Sequence, residues 1–357
     1  MATRPFHSIQ ALRAIAALLV VLFHLQIVEA KYTAGMPLLP GFIRHADSGV
    51  DLFFVLSGFV MTTIAAGSYG SPRQAGRFLV RRSWRVLPPY WFYTTVVVVL
   101  MLVAPGIANS AYQEQSVLAS YLLWPQPQLP LLTVGWTLIH EMFFYLVMAG
   151  MIAFARETWL PALLLGWGAL TLAAHFLLDA GAPWQQVASS PLTLEFIAGA
   201  LVGLYWRHLP APMALPVAVA GALGLAGAML LLSEAGGPPP SMAMRLCAFG
   251  LPAALLTLGL VRWERAGSPR VPLPLLRIGD SSYSLYLSHV FVISAAGRLW
   301  QASGWNHGPC QSAAFIALTV LACIGAGWAS WRWLEQPLQR LRPGRRTPRP
   351  DTAAASG

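Results

Sequence analysis

The chain has 357 residues, of which 56% are hydrophobic and only 10% are charged. This composition excludes an ordinary soluble domain and is typical of a polytopic membrane protein. The formal net charge of +10 would also suit a nucleic-acid-binding protein, but the positions of the basic residues argue against that interpretation.

Ten apolar runs between turn-forming residues predict an all-α fold with about ten transmembrane helices. No small-residue cleavage site follows the first run, so we expect it to remain in the protein as a membrane anchor. The ten runs cover residues 8–28, 46–66, 88–104, 132–154, 159–178, 191–206, 214–233, 243–261, 276–296 and 311–332.

The basic residues lie on alternate connections between these runs. If the chain starts in the cytoplasm, eighteen arginines fall on the inner side. The basic residues on the outer side are only Lys31, Arg44, Arg245 and Arg298. This asymmetry follows the positive-inside rule and predicts that both termini are cytoplasmic. We therefore interpret the charge as topology and not as a nucleic-acid site, with residues 1–337 forming the membrane domain and 338–357 a basic, disordered tail.

Arg13 and His24 lie in the first run, eleven positions apart. Eleven helical steps return to within about 20° of the starting direction and cover roughly 16 Å. An arginine inside a span costs about 2.5–3.5 kcal/mol, so such residues usually line a polar interior or a substrate path. An arginine that extends to the interface is the alternative for Arg13, but it does not account for His24 on the same face.

The second run opens with Gly49-Val-Asp51-Leu-Phe-Phe-Val-Leu-Ser57-Gly58-Phe59. We predict that Asp51 lies near the outer end of this helix and Ser57 near its middle. Small residues such as Ser57 more often serve helix packing, and Asp51 could act as a helix cap. Both are kept as possible cavity or supporting residues.

An arginine-rich stretch, Arg77-Phe-Leu-Val-Arg81-Arg82-Ser-Trp-Arg85-Val-Leu-Pro88-Pro-Tyr90, precedes the third run and is predicted to be an inner loop. Guanidinium groups bind phosphate in a bidentate way, so Arg82 and Arg85 are candidates for a polyanion site at the membrane surface. A purely topological or lipid-binding role remains open for these arginines.

The fourth run contains Trp136-Thr-Leu-Ile-His140-Glu141-Met-Phe-Phe-Tyr145. Glu141 is predicted to lie at a depth that overlaps that of His24. An intramembrane glutamate is costly unless it is paired or faces a watery cavity, which makes it a functional candidate. His140 points about 100° away and is expected to be packed or interfacial.

The ninth run begins with Gly279-Asp280-Ser281-Ser-Tyr283-Ser284-Leu-Tyr286-Leu-Ser288-His289. Asp280, Ser284 and Ser288 recur every four residues and predict a polar stripe along one helix face. Serines in spanning helices often serve only helix–helix contacts, so Asp280, Tyr283 and His289 are the better functional candidates. No metal-ligand spacing and no Gly-rich phosphate loop occur, and we expect no permanently bound cofactor.

In this order, these stretches resemble acyltransferase family 3, the integral-membrane acyltransferases that modify polysaccharides and other cell-surface glycans. The opening residues look most like the stand-alone exopolysaccharide-acetylating branch. The chain departs from the family pattern at Thr137, where serine is usual, and in having no fused extracytoplasmic hydrolase-like domain. The matching motifs are Arg13-x10-His24, Gly49 to Phe59, Arg82-Ser-Trp-Arg85 with Pro88 and Tyr90, Trp136-Thr-Leu-x-x-Glu141-x-x-Phe-Tyr145, Ser282 to His289, and Glu335-Gln-Pro337.

The resemblance implies an all-α enzyme of the bacterial inner membrane, with acyl-coenzyme A, expected to be acetyl-CoA, as its cytoplasmic co-substrate. The implied acceptor is a hydroxyl of an extracytoplasmic or lipid-linked polysaccharide, and other polysaccharide biosynthesis proteins are possible partners. His24 and Glu141 are the expected catalytic residues, because an imidazole exchanges its proton near neutral pH and a carboxylate could orient it. Donor binding is assigned to Arg13, Arg82 and Arg85. Possible cavity or supporting residues are Asp51, Ser57, Tyr145, Asp280, Tyr283 and His289.

Two alternatives remain open at this stage. In a glycan or lipid carrier, Arg13, His24 and Glu141 would only bind substrate in transit, and in an export complex the chain would be a non-catalytic scaffold. The absence of an inverted pair of interrupted helices in the sequence argues against a secondary transporter. The enzyme interpretation predicts that Arg13, His24 and Glu141 face one continuous polar passage. Spans one, two, four and nine would surround this passage, and spans five, six and seven would lie at the lipid-facing periphery.

Overall fold

The structure is a computed structural model that describes residues 6–32, 37–103, 115–179, 181–235, 240–267 and 271–343. Within these ranges the chain consists of helices and their connections, with no strand. A 3₁₀ helix, Gly41–Ser48, leads directly into α2, and π-helical turns at Leu246–Gly250 and Trp331–Glu335 precede α11 and α15. The α-helices are α1 (His7–Tyr32), α2 (Gly49–Ala65), α3 (Pro72–Val103), α4 (Val117–Leu122), α5 (Trp136–Phe154), α6 (Leu160–Leu177), α7 (Pro183–Ala188), α8 (Thr193–Tyr205), α9 (Ala214–Ala235), α10 (Met242–Arg245), α11 (Leu251–Arg265), α12 (Leu273–Asp280), α13 (Ser282–Ser303), α14 (Pro309–Ser330) and α15 (Gln336–Arg340).

Nine helical segments of the described chain are long and apolar enough to cross a membrane. The predicted all-α, polytopic membrane fold is therefore confirmed. The run predicted at 276–296 falls on α12 and α13. Helix α13 has 22 residues, but its serines, tyrosines and histidine make it less apolar than the other nine. The cytoplasmic location of the termini stays a prediction.

Helix α3 is one continuous helix of 32 residues, about 48 Å long. The arginine-rich stretch predicted to be a loop forms its first half, so that prediction was wrong. Pro88 and Pro89 lie inside the helix, where proline usually ends one. A buried face that includes Phe78, Val86 and Tyr93 packs toward α5, and this packing keeps the helix intact through the prolines.

The start of α2 lies against the middle of α1. A Cβ atom on Gly49 would lie 2.4 Å from the carbonyl oxygen of Ala16, so only glycine permits this approach. Asp51 lies in the first turn of α2, at the helix end where we predicted it. The contact of Gly49 shows that this helix end lies against the middle of α1. The depth of Asp51 in the membrane stays a prediction.

Helix α8, in the sixth predicted span, packs closely against α2. A Cβ atom on Gly199 would lie 1.8 Å from the carbonyl oxygen of Val55, which shows how near the two backbones are. The segment Pro183–His208 is mostly buried, whereas Glu157–Leu177 and Ala211–Ala235 are mostly exposed. Spans five and seven are thus peripheral as predicted, and span six is not.

The carboxyl-terminal helix α15 docks on α3. The indole nitrogen of Trp84 donates a hydrogen bond to the Leu338 carbonyl at 2.8 Å, and the Gln339 amide donates to the Trp84 and Arg85 carbonyls at 3.3 Å. The first residues of the predicted tail are therefore part of the packed domain. Residues 344–357 of that tail lie outside the described residues.

Candidate active site

A cavity opens between α1, α2, α3, α5 and α13, at the end where α1, α3 and α13 begin. About 790 Å³ inside it is not filled by protein atoms, and this includes space that communicates with the outside. Seven of the eleven residues predicted for the site line it: Arg13, Ser57, Arg82, Arg85, Glu141, Tyr145 and Tyr283. The sequence motifs therefore converge on one place, as expected for a ligand site.

Helix α3 sorts its arginines between two faces. Arg82 and Arg85 are one turn apart, so both point into the cavity. Arg77 and Arg81, in the same stretch, are exposed. The helix therefore offers two guanidiniums to the cavity and leaves the other two at the surface, a division that a loop would not impose.

Arg13 adds a third guanidinium from α1. Its Nε donates a hydrogen bond to the Ser282 hydroxyl at 3.1 Å. The carboxylates that interact electrostatically with it are Glu335 and Glu141, and Glu335 also accepts a hydrogen bond from Ser284 at 2.6 Å. With Arg82 and Arg85, three guanidiniums face two carboxylates, which leaves a net positive charge for an anionic ligand.

Glu141 belongs to this cavity through its hydrogen bonds. The Ser57 hydroxyl donates to Glu141 Oε1 at 3.2 Å, and the Tyr145 hydroxyl, one turn along α5, donates to the same oxygen. Arg82 in turn interacts with the Tyr145 hydroxyl. The carboxylate therefore organises the arginine side of the site, and it is not the hydrogen-bond partner of His24 that the sequence suggested.

His24 instead contacts His289. His24 Nδ1 lies 3.2 Å from His289 Nε2 and 2.9 Å from the Val20 carbonyl oxygen. His289 Nδ1 lies 3.2 Å from the Leu285 carbonyl oxygen. Neither imidazole lines the cavity that contains the arginines, so the prediction that Arg13, His24 and Glu141 face one continuous passage was wrong. His289 is fully buried, while His24 retains partial exposure.

Tyr286 stands between the cavity and the histidine pair. It lines the cavity, and its ring centroid lies 6.0 Å from that of His289. Its hydroxyl is within 2.7 Å of the Thr137 hydroxyl and 2.8 Å of the Val134 carbonyl oxygen. Thr137, at which the sequence departs from the pattern that it resembles, thus contacts the tyrosine that separates the two parts of the site.

Two predicted residues lie elsewhere. Asp280 is exposed at the end of α12, because the helix breaks at Ser281 and the predicted stripe from Asp280 to Ser288 is not continuous. Asp51 is completely buried, but its carboxylate accepts hydrogen bonds from Arg245 at 2.8 and 2.5 Å and does not line the cavity. Neither side chain contributes to the cavity as the sequence suggested.

Arg245, Glu195 and Glu335 are among the charged residues with buried roles that the sequence interpretation missed. Arg245 was counted only as an outer-loop charge, although it binds Asp51 and Asp47. Glu195, in an otherwise apolar run, is 1% exposed and should have been noticed for that reason. Glu335 was quoted only as a motif residue. Within the described ranges, no group of three or more His, Cys, Asp or Glu side chains could hold a metal ion.

A family model described as an acyltransferase domain matches residues 6–328. The exopolysaccharide production protein ExoZ of Rhizobium meliloti is 33% identical over 84% of this chain and 91% of its own length. Nodulation protein 10 of Rhizobium leguminosarum bv. viciae is 26% identical, with 82% of each chain covered. Acyltransferase MdmB of Streptomyces mycarofaciens is 28% identical over 96% of this chain and 93% of its own. No solved structure matches the chain.

Proposed function

The chain belongs to the acyltransferase family whose domain model spans residues 6–328 and is thus a membrane enzyme that transfers acyl groups, and on this premise we propose that it moves an acetyl group from acetyl-coenzyme A to a polysaccharide hydroxyl. The observation that carries the proposal is the convergence of Arg13, Arg82 and Arg85 on one cavity. Membership of an enzyme family also removes the reason to treat the chain as a carrier or scaffold.

The donor half of the proposal rests on charge. Coenzyme A carries several phosphate groups, and guanidiniums bind phosphate through short, charge-assisted hydrogen bonds. Arg82 and Arg85 supply such donors from one face of α3, and Arg13 supplies more from α1. With the predicted cytoplasmic termini, this end of the bundle faces the cytoplasm of a bacterial inner membrane, where acyl-coenzyme A is found.

The proposed catalytic base, His24, lies on α1. His24 lies roughly 16 Å beyond Arg13 on the same helix, a separation comparable to the reach of a pantetheine arm. A donor whose phosphates stay at the arginines would bring its thioester toward His24 once Tyr286 moves aside. In this arrangement Glu141 keeps Tyr145 and Ser57 in place beside the donor.

The chemistry needs only one general base. The His24 imidazole accepts the proton of the acceptor hydroxyl while the hydroxyl oxygen attacks the thioester carbonyl carbon. A C–O bond forms, the C–S bond breaks, and the coenzyme A thiolate takes the proton back from the imidazolium. No other reactant is consumed.

The acceptor half rests on the relatives. ExoZ is named as an exopolysaccharide production protein, and this chain aligns with nearly all of it. We therefore propose a polysaccharide or lipid-linked glycan on the outer side of the membrane as acceptor. A glycan would approach the partly exposed His24 from the end opposite the arginine cavity.

The test uses purified protein in lipid vesicles, acetyl-coenzyme A labelled in its acetyl group, and polysaccharide extracted from a strain that lacks this protein. We expect base-labile label to appear on the polysaccharide and His24→Ala to abolish it. His140→Ala serves as the matched control, because His140 lies on α5 outside the cavity lining, and it should retain most activity. Near wild-type transfer by His24→Ala would refute the base assignment.

A further inference from the structure

The contacts of the two imidazoles define which nitrogen carries each proton. Carbonyl oxygens only accept hydrogen bonds, so a hydrogen bond between His289 and Leu285 requires a proton on His289 Nδ1. The neutral His289 ring then has a lone pair on Nε2. That lone pair lies 3.2 Å from His24 Nδ1.

The same reasoning applies to His24. Its Nδ1 lies 2.9 Å from the Val20 carbonyl oxygen and also faces the lone pair of His289. Both neighbours are acceptors, so His24 carries its proton on Nδ1 and shares it between them. The lone pair of His24 is thereby fixed on Nε2, the nitrogen that has no partner among these contacts.

The burial of the two rings separates their roles. His289 is 0% exposed and lies behind Tyr286, so no acceptor hydroxyl reaches it. His24 is partly exposed and offers its free Nε2. His289 therefore has no direct access to a substrate, and any effect it has on the reaction must act through His24.

We propose that His289 is the positioning residue of His24: it fixes the tautomer with a basic Nε2 and accepts a stronger hydrogen bond from Nδ1–H when the ring becomes an imidazolium. This inference rests on the proposed role of His24 as base. The proton taken from the acceptor hydroxyl stays on His24 Nε2 until the coenzyme A thiolate removes it. His289 stays neutral in this scheme, because an imidazolium would be costly at its fully buried position.

A neutral partner has a chemical consequence that a carboxylate would not have. A carboxylate beside His24 would place a full negative charge in the spanning region, where an unpaired charge is costly. A second imidazole accepts the same hydrogen bond without that charge. The acidic group that interacts with His24 is Asp47, which is itself bound to Arg245.

The test compares His289→Gln with His289→Leu. A glutamine side chain has a carbonyl oxygen that can accept from His24 Nδ1–H, whereas leucine has a similar volume and no acceptor. We expect His289→Leu to lower kcat by about 10- to 100-fold, the effect of losing one hydrogen bond to a charged group. The KM for acetyl-coenzyme A should stay unchanged, and His289→Gln should recover much of kcat.

Two further measurements distinguish positioning from packing. Nitrogen-15 spectra of histidine-labelled protein should show His24 with its proton on Nδ1 in the wild type and a mixture of tautomers in His289→Leu. The double variant His24→Ala/His289→Leu should be no worse than His24→Ala alone, because the two residues act as a unit.

Equal losses of kcat in the leucine and glutamine variants at unchanged thermal stability, or full activity in the leucine variant, would overturn the proposal. These outcomes leave the proposed function intact as long as His24→Ala is inactive. Activity in His24→Ala would instead refute the base assignment itself. The failure of one proposal is thus distinguishable from the failure of the other.

Discussion

The protein buries charge in two clusters that are constructed in opposite ways. In the open cluster, Arg13, Arg82 and Arg85 line a cavity and keep hydrogen-bond donors facing free space. In the closed cluster, the guanidinium of Arg245 is held by Asp51 at 2.5 Å and by Asp47 at 2.6 Å. None of these three residues, Arg245, Asp51 and Asp47, lines the cavity of the open cluster.

The contrast shows that a buried charge does not by itself indicate a ligand site. Arg245 interacts with three carboxyl groups, if Glu195 beside Asp51 is included, and it joins the 3₁₀ helix before α2 to α10. The open cluster has more guanidiniums than carboxylates and has room beside them. Space together with uncompensated charge is what identifies the cavity as the binding site, and the closed cluster is a structural clamp.

The largest effect is expected on coenzyme A affinity when two arginines of the open cluster are replaced. Replacing Arg82 and Arg85 with glutamine should weaken coenzyme A binding by about 3–6 kcal/mol, since each charge-assisted hydrogen bond contributes about 1.5–3 kcal/mol. Thermal stability should change little, because these side chains face a cavity. Calorimetric titration of purified protein measures the affinity, which should also fall with added salt.

The control for that experiment lies on the same helix. Arg77→Gln together with Arg81→Gln removes the same charge from the exposed face of α3 and should leave coenzyme A affinity nearly unchanged. An equal loss of affinity in both double variants would mean that the arginines act only through the general surface charge, and the distinction between the two faces would not hold.

A slightly smaller effect, of a different kind, is expected in the closed cluster. Arg245→Met leaves Asp47 and Asp51 without their counter-ion, and breaking a buried ion pair in this way costs about 3–5 kcal/mol. We expect a lower thermal unfolding midpoint in detergent and unchanged coenzyme A affinity in the fraction that stays folded. Arg73→Met, at an exposed site on α3, is the control. An unchanged midpoint for Arg245→Met would exclude a clamp.

The smallest expected effect concerns Glu195, the third carboxyl group of the closed cluster. Both carboxyl oxygens of Glu195 are buried, no N–H group among the described residues donates to them, and their polar neighbour is the Asp51 carboxyl group. Because a charged carboxylate would be very costly there, we expect Glu195 to be neutral and Glu195→Gln to change stability by less than about 1 kcal/mol. A destabilisation as large as that of Arg245→Met would show that Glu195 carries a charge on which the clamp depends.

The sequence predicted the open cluster better than the closed one for a physical reason. Charged residues are rare inside apolar runs, so Arg13 and Glu141 could be recognised as site candidates from the sequence. The arginine-rich motif added Arg82, although it was expected on a loop and lies on α3. The histidine pair and the Asp51–Arg245 pair depend instead on which helices become neighbours. Local periodicity contains no information about such neighbours.

The wrong predictions follow the same rule. The prolines of α3 indicated a helix boundary, but burial of one helix face outweighed them. Asp280 was assigned to a continuous helix, whereas the chain turns at Ser281. Glu141 was assigned as the partner of His24 because the two side chains were predicted to lie at overlapping depths in the membrane. For α3 and for Glu141, a tertiary contact decided the outcome.

The pairing of Arg13 has a consequence for the order of synthesis. Ser282, the acceptor of its hydrogen bond, is 269 positions later in the chain, and ribosomes add roughly 5–20 residues per second. For tens of seconds the first helix therefore lies in the bilayer with a guanidinium that has neither Ser282 nor Glu335 beside it. Water and lipid headgroups must satisfy the side chain during that interval, so the first helix to be inserted acquires its final surroundings only when the last ones arrive.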